Sequence, residues 1–179
     1  MSFQKQVNLN QALGNVGQIS KAYHSFCNVI PAIAADEFVK VGSFVQSKAT
    51  GATNENEVIG ASGKAISGSI LGVVVRDSLK VAGDSTATLA VKKGENCAVL
   101  NEGSIFIETS LQAKKGQYVF LKDDDGTLVF DNAATKASHT YTGFRVSKGN
   151  ETAARGIIEI TLRELNLGGR KWIKYQILS

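Results

Sequence analysis

The sequence predicts an all-β protein, an antiparallel β-sandwich or barrel with an extended N-terminal arm and a C-terminal strand-like arm. Three observations predict it. Apolar and polar residues alternate with a period of two through most of the chain, glycine-containing turns break the runs at strand-sized intervals, and no segment sustains a 3.6-residue period. The 179-residue length suits one domain with tails, and an apolar fraction of 43% can fill a core. The organisation read from these patterns is an arm over residues 1–20, a body over 21–163 and a basic arm over 164–179.

The first twenty residues are polar and glycine-punctuated (Asn8, Asn10, Gln11, Gly14, Asn15, Gly17, Gln18) and carry neither period. Such a segment buries too little apolar surface to order itself and gains order only against a partner or against its own body. Residues 22–30 read as a first strand ended by Pro31, since proline cannot donate to a ladder. Residues 37–46 read as a second, with Val39, Val41 and Val45 on one face and Phe38, Lys40 and Phe44 on the other. Residues 47–63 read as a loop holding one apolar pair, Val58-Ile59. The nearly unbroken apolar run from Ser69 to Arg76 reads as a strand covered on both faces.

Further strands are expected over 86–91, 95–100, 104–109, 118–122, 127–131, 141–146 and 155–163. Asp125-Gly126 between alternating runs is a strong hairpin signal. Residues 131–139 suit one short turn. In the last strand of the body, Ile158, Ile160 and Leu162 face one way and Glu159, Thr161 and Arg163 the other. After Gly168-Gly169 the chain ends in Arg170-Lys171-Trp172-Ile173-Lys174-Tyr175-Gln176-Ile177, where Ile173, Tyr175 and Ile177 alternate with polar residues. It is either a last strand of the parent sheet or an arm added to a neighbour's sheet.

Residues able to do chemistry are few: two histidines (His24, His139), two cysteines (Cys27, Cys97) and one tryptophan. Two cysteines make neither a disulfide framework nor a zinc site. Both look like buried strand positions, and His24 falls on the opposite face from Cys27, so no activated thiol is expected. His139 reads as solvated. Asp123-Asp124-Asp125-Gly126 lacks the ligand spacing and the closing glutamate of a calcium loop and reads as a turn. Gly60-Ala61-Ser62-Gly63-Lys64 meets neither the phosphate-loop nor the nucleophile-elbow pattern. Asn150-Glu151-Thr152 fits a glycosylation sequon, relevant only in a secretory pathway. No paired carboxylates and no Ser-His-carboxylate set emerge. The expectation is a protein that is not an enzyme, with no catalytic residues, cofactor or metal.

The formal net charge of +4 is uneven. Residues 1–60 balance, residues 61–162 carry +1, and the last seventeen carry +3 through Arg163, Arg170, Lys171 and Lys174 against Glu164. A basic tail on a nearly neutral body suits an acidic protein surface better than nucleic acid. The N-terminus has no signal-peptide core and no run reaches membrane-span length, so a soluble protein made in a cytoplasm, without membrane partners, is expected.

Several stretches taken in order resemble the structural cement, or head decoration, proteins of tailed bacteriophages. They are the polar arm from Ser2-Phe3-Gln4 to Asn8-Leu9-Asn10, then Glu37-Phe38-Val39-Lys40-Val41-Gly42-Ser43-Phe44-Val45 and Ile70-Leu71-Gly72-Val73-Val74-Val75-Arg76. Lys115-Gly116-Gln117-Tyr118-Val119-Phe120 with Asp125-Gly126-Thr127 follows, and Ile157-Ile158-Glu159-Ile160 closes the set. The resemblance covers residues 1–162; the tail after Leu162 departs from it. It implies a virion structural protein on the capsid outer surface that clamps neighbouring major capsid protein subunits, working as a homo-oligomer, trimer or dimer. The expected capsid contacts are Phe3, Val7 and Leu9 in front, and Arg170, Lys171, Trp172, Lys174 and Tyr175 behind. The alternatives are a carbohydrate-binding β module of a virion fibre or spike, which needs an aromatic patch the sequence does not suggest, and another virion part such as a tail-tube or head-completion protein.

Overall fold

The computed structural model describes residues 14–20, 27–76, 82–83, 89–150 and 155–162. Among them it holds twelve strands and no helix: β1 (Asn28–Ala34), β2 (Phe38–Lys40), β3 (Phe44–Ser47), β4 (Glu57–Gly60), β5 (Ile70–Val74), β6 (Ala82–Gly83), β7 (Leu89–Lys92), β8 (Asn96–Thr109), β9 (Tyr118–Lys122), β10 (Leu128–Asp131), β11 (His139–Lys148) and β12 (Gly156–Leu162). Nine form one sheet in the order β1-β4-β3-β5-β8-β12-β11-β9-β10, and β1 also pairs with β8. That extra pairing closes β1, β4, β3, β5 and β8 into a five-stranded barrel. The strands beyond β8 form a second layer that ends at β10. Strands β2, β7 and β6 make a separate small sheet. All pairings are antiparallel except β1 with β4.

Two cores follow from the period-two alternation. Ala32, Ala34, Val45, Val58, Val74, Cys97 and Val99 of the barrel strands pack with Val39, Val41 and Val91, which come from β2, β7 and the residue after β2. The side chains are small because a ring of five strands encloses little space. The opposite faces of the barrel strands, with Phe44, Val73 and Leu100, pack against Ile105, Ile107, Val119, Leu121, Phe144, Val146, Ile158 and Ile160 of the second layer. Phe44 and Phe144 meet edge to face at 5.7 Å across this junction. Strand β5 serves both cores, Val73 in one and Val74 in the other, as its unbroken apolar run requires.

Several expectations are corrected. Pro31 does not end β1; it pairs opposite Ala98 within the strand. Ile33 donates its N–H to Asn56 on the β4 side. Alternate residues face the same edge, so the donor that Pro31 lacks would point to that side as well, where β4 pairs only Ile33 and Ala34. The expected strand 37–46 is two strands with a corner at Val41-Gly42-Ser43, where Gly42 adopts φ 74°. The opposite facing of Phe44 and Val45 holds, but both are buried, in different cores. Residues 57–60, read as loop, form β4. Residues 96–109, read as two strands, are the single strand β8.

Glu159 and Thr161, read on the face opposite Ile158 and Ile160, are buried as well. Thr161 shares a 2.6 Å hydroxyl bond with Ser104. Glu159 sits opposite Phe106 on β8 and across from Lys148 on β11, with Lys148 Nζ 3.8 Å from its carboxylate. This face is not left to water. The segment Gly14–Ser20 runs along the other edge of β8, with Ile19 bridging Ile105, and Gly14 packs against the Phe106 ring.

Gly72 shows how closely the barrel is drawn together. Its φ is 144°, and a Cβ there would lie 2.0 Å from the Leu100 carbonyl oxygen. Gly72→Ala therefore combines backbone strain with overpacking. It is expected to destabilise the fold by about 3 kcal/mol or more, read from the urea midpoint of the purified chain.

Candidate interaction surface

The residues named as partner contacts, Phe3, Val7 and Leu9 in front and Arg170, Lys171, Trp172, Lys174 and Tyr175 behind, all lie outside the described residues. So do His24 and Arg163. Of the N-terminal segment, Gly14–Ser20 is described, and it is bonded to the body. Gly17 donates to Phe106, Phe106 to Gln18, Ser20 to Ser104 and Arg76 to Gly17. The chain therefore enters the second layer along the open side of β8.

The sequence motifs settle into structural roles. Cys97 is buried in the barrel, and that burial pushes its thiol up to about 11, so it stays protonated and unreactive. Cys27 is half-buried against the second core. His139, expected in solvent, opens β11 half-buried, and its Nδ1 lies 2.6 Å from the Ala137 carbonyl, an acceptor to which it donates. Residues 123–126 form the expected β9–β10 turn. Asp125 accepts from the Thr127 N–H and Asp123 from the Thr140 hydroxyl, so the carboxylates hold the turn itself. The Asn150 side-chain amide bridges Ala113 and Leu111 and closes the loop after β8.

Gly60, Ser62 and Lys64 line a shallow open groove of about 350 Å³, together with Asp36, Glu37, Phe38, Lys40 and Ser43. Asp36 pairs with Lys64 and accepts the Gly60 N–H, so its charge is already matched. The groove has no histidine or cysteine, and among the described residues no three His, Cys, Asp or Glu side chains stand together as metal ligands would. Phe38, at 41% exposure, is an apolar handle on its rim. Sequence reading placed Phe38 on the face opposite Val39 but assigned it no role.

A second exposed feature had no signal in the sequence beyond its polarity. Residues 49–56 joining β3 to β4 are exposed throughout, while both ends of the loop are clasped. Lys48 pairs with Glu57 at 2.8 Å, Glu57 accepts the Thr53 N–H, and backbone bonds join Lys48 to Glu57 and Glu57 to Asn54. The Lys48 hydrogen bond, helped by the backbone N–H groups of Thr53 and Asn54, holds the Glu57 carboxyl below its ordinary 4.5. What these surfaces offer chemically is shape, hydrogen-bonding edges and matched charge.

Comparison with known proteins agrees. The model of the structural cement protein family (E217 gp24/Pam3 gp6) matches residues 3–163. The chain belongs to this family. A solved chain from the capsid of Myoviridae phage XM1 has the same fold, with a TM-score of 0.58 at 16% identity, covering 92% of this chain and 99% of that one. No curated protein matches the chain. The cement family is one of structural proteins, so the chain is a virion capsid component with a structural role, as the ordered motifs from the arm to Ile160 imply. The family match stops at residue 163, where the sequence departs into its basic tail.

The clasp gives a pH test. A carboxylate held low when folded contributes stability that is complete above its unfolded value and is lost as pH falls through the lower folded value. Glu57→Gln is expected to lower stability at neutral pH. Urea melts of variant and wild type should converge as the pH drops below 4.5. A difference that stays constant across that range would show that charge plays no part in the clasp.

Proposed function

We propose that this cement protein binds the outer surface of the assembled phage head and clamps neighbouring major capsid protein subunits, with no bond made or broken. Family membership over residues 3–163 carries this reading. The character of the surface supports it: the groove carboxylate is paired, the Cys97 thiol is buried, and the exposed elements are an ordered loop and strand edges. Clamping needs area across subunit seams, on the order of 1,500 Å² per copy, repeated over many symmetric sites.

The two ends of the chain are the proposed contacts. Phe3, Val7 and Leu9 supply apolar anchors. Arg170, Lys171, Trp172, Lys174 and Tyr175 supply positive charge and aromatic area for an acidic capsid face. The arm over residues 1–20 and the basic arm over 164–179 flank the body over 21–163. With Gly14–Ser20 bonded along β8, the thirteen residues before it can reach at most ~45 Å, still enough to cross onto an adjoining subunit. The working unit is a homo-oligomer, a trimer or dimer placed on a symmetry axis of the shell.

Two experiments test this. Purified protein is expected to sediment with mature heads and not with unexpanded precursors; equal binding to both would remove the link to the expanded lattice. Deleting residues 168–179 is expected to weaken head binding by about tenfold or more, the loss of one or two anchor side chains. The truncated body should remain folded, with the strand signature of the full chain in its circular dichroism. Unchanged binding by the truncated chain would rule out the tail as a contact.

A further inference from the structure

Strand β10 is the last strand of the nine-stranded sheet, and its outer edge has no strand beside it among the described residues. The ladder fixes which groups are free. Lys122 donates to the Thr127 carbonyl, and the register runs Leu128–Leu121, Val129–Phe120, Phe130–Val119 and Asp131–Tyr118. In an antiparallel pair, bonded and non-bonded positions alternate, so Val129 and Asp131 bond to β9. Leu128 and Phe130 then point their N–H and C=O groups outward. The side chains are unfinished in the same sense: Leu128 and Phe130 pack against the second core, yet both remain only half-buried. An apolar edge of this kind promotes uncontrolled pairing unless something covers it.

We propose that the strand-like segment Lys171–Ile177 of the same chain adds to β10 and closes this edge. Three observations choose that occupant. Its alternation matches the site, because Ile173, Tyr175 and Ile177 can continue the core face of Leu128 and Phe130 while Trp172, Lys174 and Gln176 lie beside Val129 and Asp131. Its charge is complementary. Residues 118–136 carry Asp123, Asp124, Asp125 and Asp131 against Lys122 and Lys136, and residues 170–177 carry Arg170, Lys171 and Lys174 with no acid.

Its tether also reaches. From β12 to the new position is four strand spacings, about 19 Å. The eight residues 163–170 extend to about 27 Å. So short a link holds the segment at a millimolar-range effective concentration, which favours the same chain over a second copy.

Amide hydrogen exchange on the free full-length protein, without heads, tests this separately from capsid binding. Leu128 and Phe130 are expected to exchange slowly in the wild type. In the full-length variant Tyr175→Pro, which removes an N–H and blocks strand geometry, they should exchange about tenfold faster or more. Val129 and Asp131, bonded to β9, are the internal control and should not change, which also shows that the variant remains folded. Fast exchange of Leu128 and Phe130 in the wild type, or no effect of Tyr175→Pro, would overturn the proposal. Protection that disappears on dilution together with a dimer would also overturn it, by assigning the strand to a second copy.

Discussion

Strand β8 bonds to β1 and β5 along its first half and to β12 along its second, and Gly14–Ser20 lies on its remaining edge. A single fourteen-residue strand thus belongs to the closed barrel and to the second layer at once. The two layers cannot slide past each other without breaking that ladder, and the apolar junction of Phe44, Val73 and Leu100 with Phe144, Ile158 and Ile160 depends on the alignment it enforces. For a protein that resists the movement of other subunits, a rigid body is a physical requirement, because a clamp that deforms transmits no load. The long strand supplies that rigidity through backbone bonds, which tolerate side-chain variation.

Much of the fold was legible because alternation is a direct print of burial on a strand. The both-sided burial of β5, the β9–β10 turn at Asp125-Gly126 and the opposite facing of Phe44 and Val45 all follow from residue order alone. Failures occurred where long-range pairing overrides local pattern. Strand β4 holds two apolar residues among polar ones and is a strand because β1 and β3 pair with it on either side. Pro31 is tolerated because of which edge is vacant, a fact of topology. Glu159 is polar in sequence yet buried in space. Among the described residues its Oε1 has no hydrogen-bond partner, so the pattern and these contacts do not account for its burial.

The candidate surface was less legible for a different reason. Catalytic sites announce themselves by residue types that are otherwise rare; docking surfaces use the same residues as any exterior. The clasp at Glu57 and the handle at Phe38 emerge only when distant segments are brought together, Asp36 with Lys64 and Lys48 with Glu57. The burial of Cys97 was readable from its place in an alternating run, and that burial is what raises its thiol.

The tail joins the two halves of the argument. If residues 171–177 complete the sheet at β10, ordering them in solution removes much of the entropy cost that a free arm would meet on docking. A pre-formed strand can still present Trp172 and Lys174 on its outer face, since a sheet exposes alternate side chains whichever edge it lies on, while Tyr175, on the core face, would then serve the edge and not the shell. Closing the edge and contacting the shell are then successive uses of one segment. The first prevents the free protein from pairing edge to edge at high concentration. The second keeps the basic face oriented for an acidic partner. A strand that had to leave β10 in order to reach the capsid would re-expose Leu128 and Phe130, and its binding would be weakened by the free energy of that edge contact.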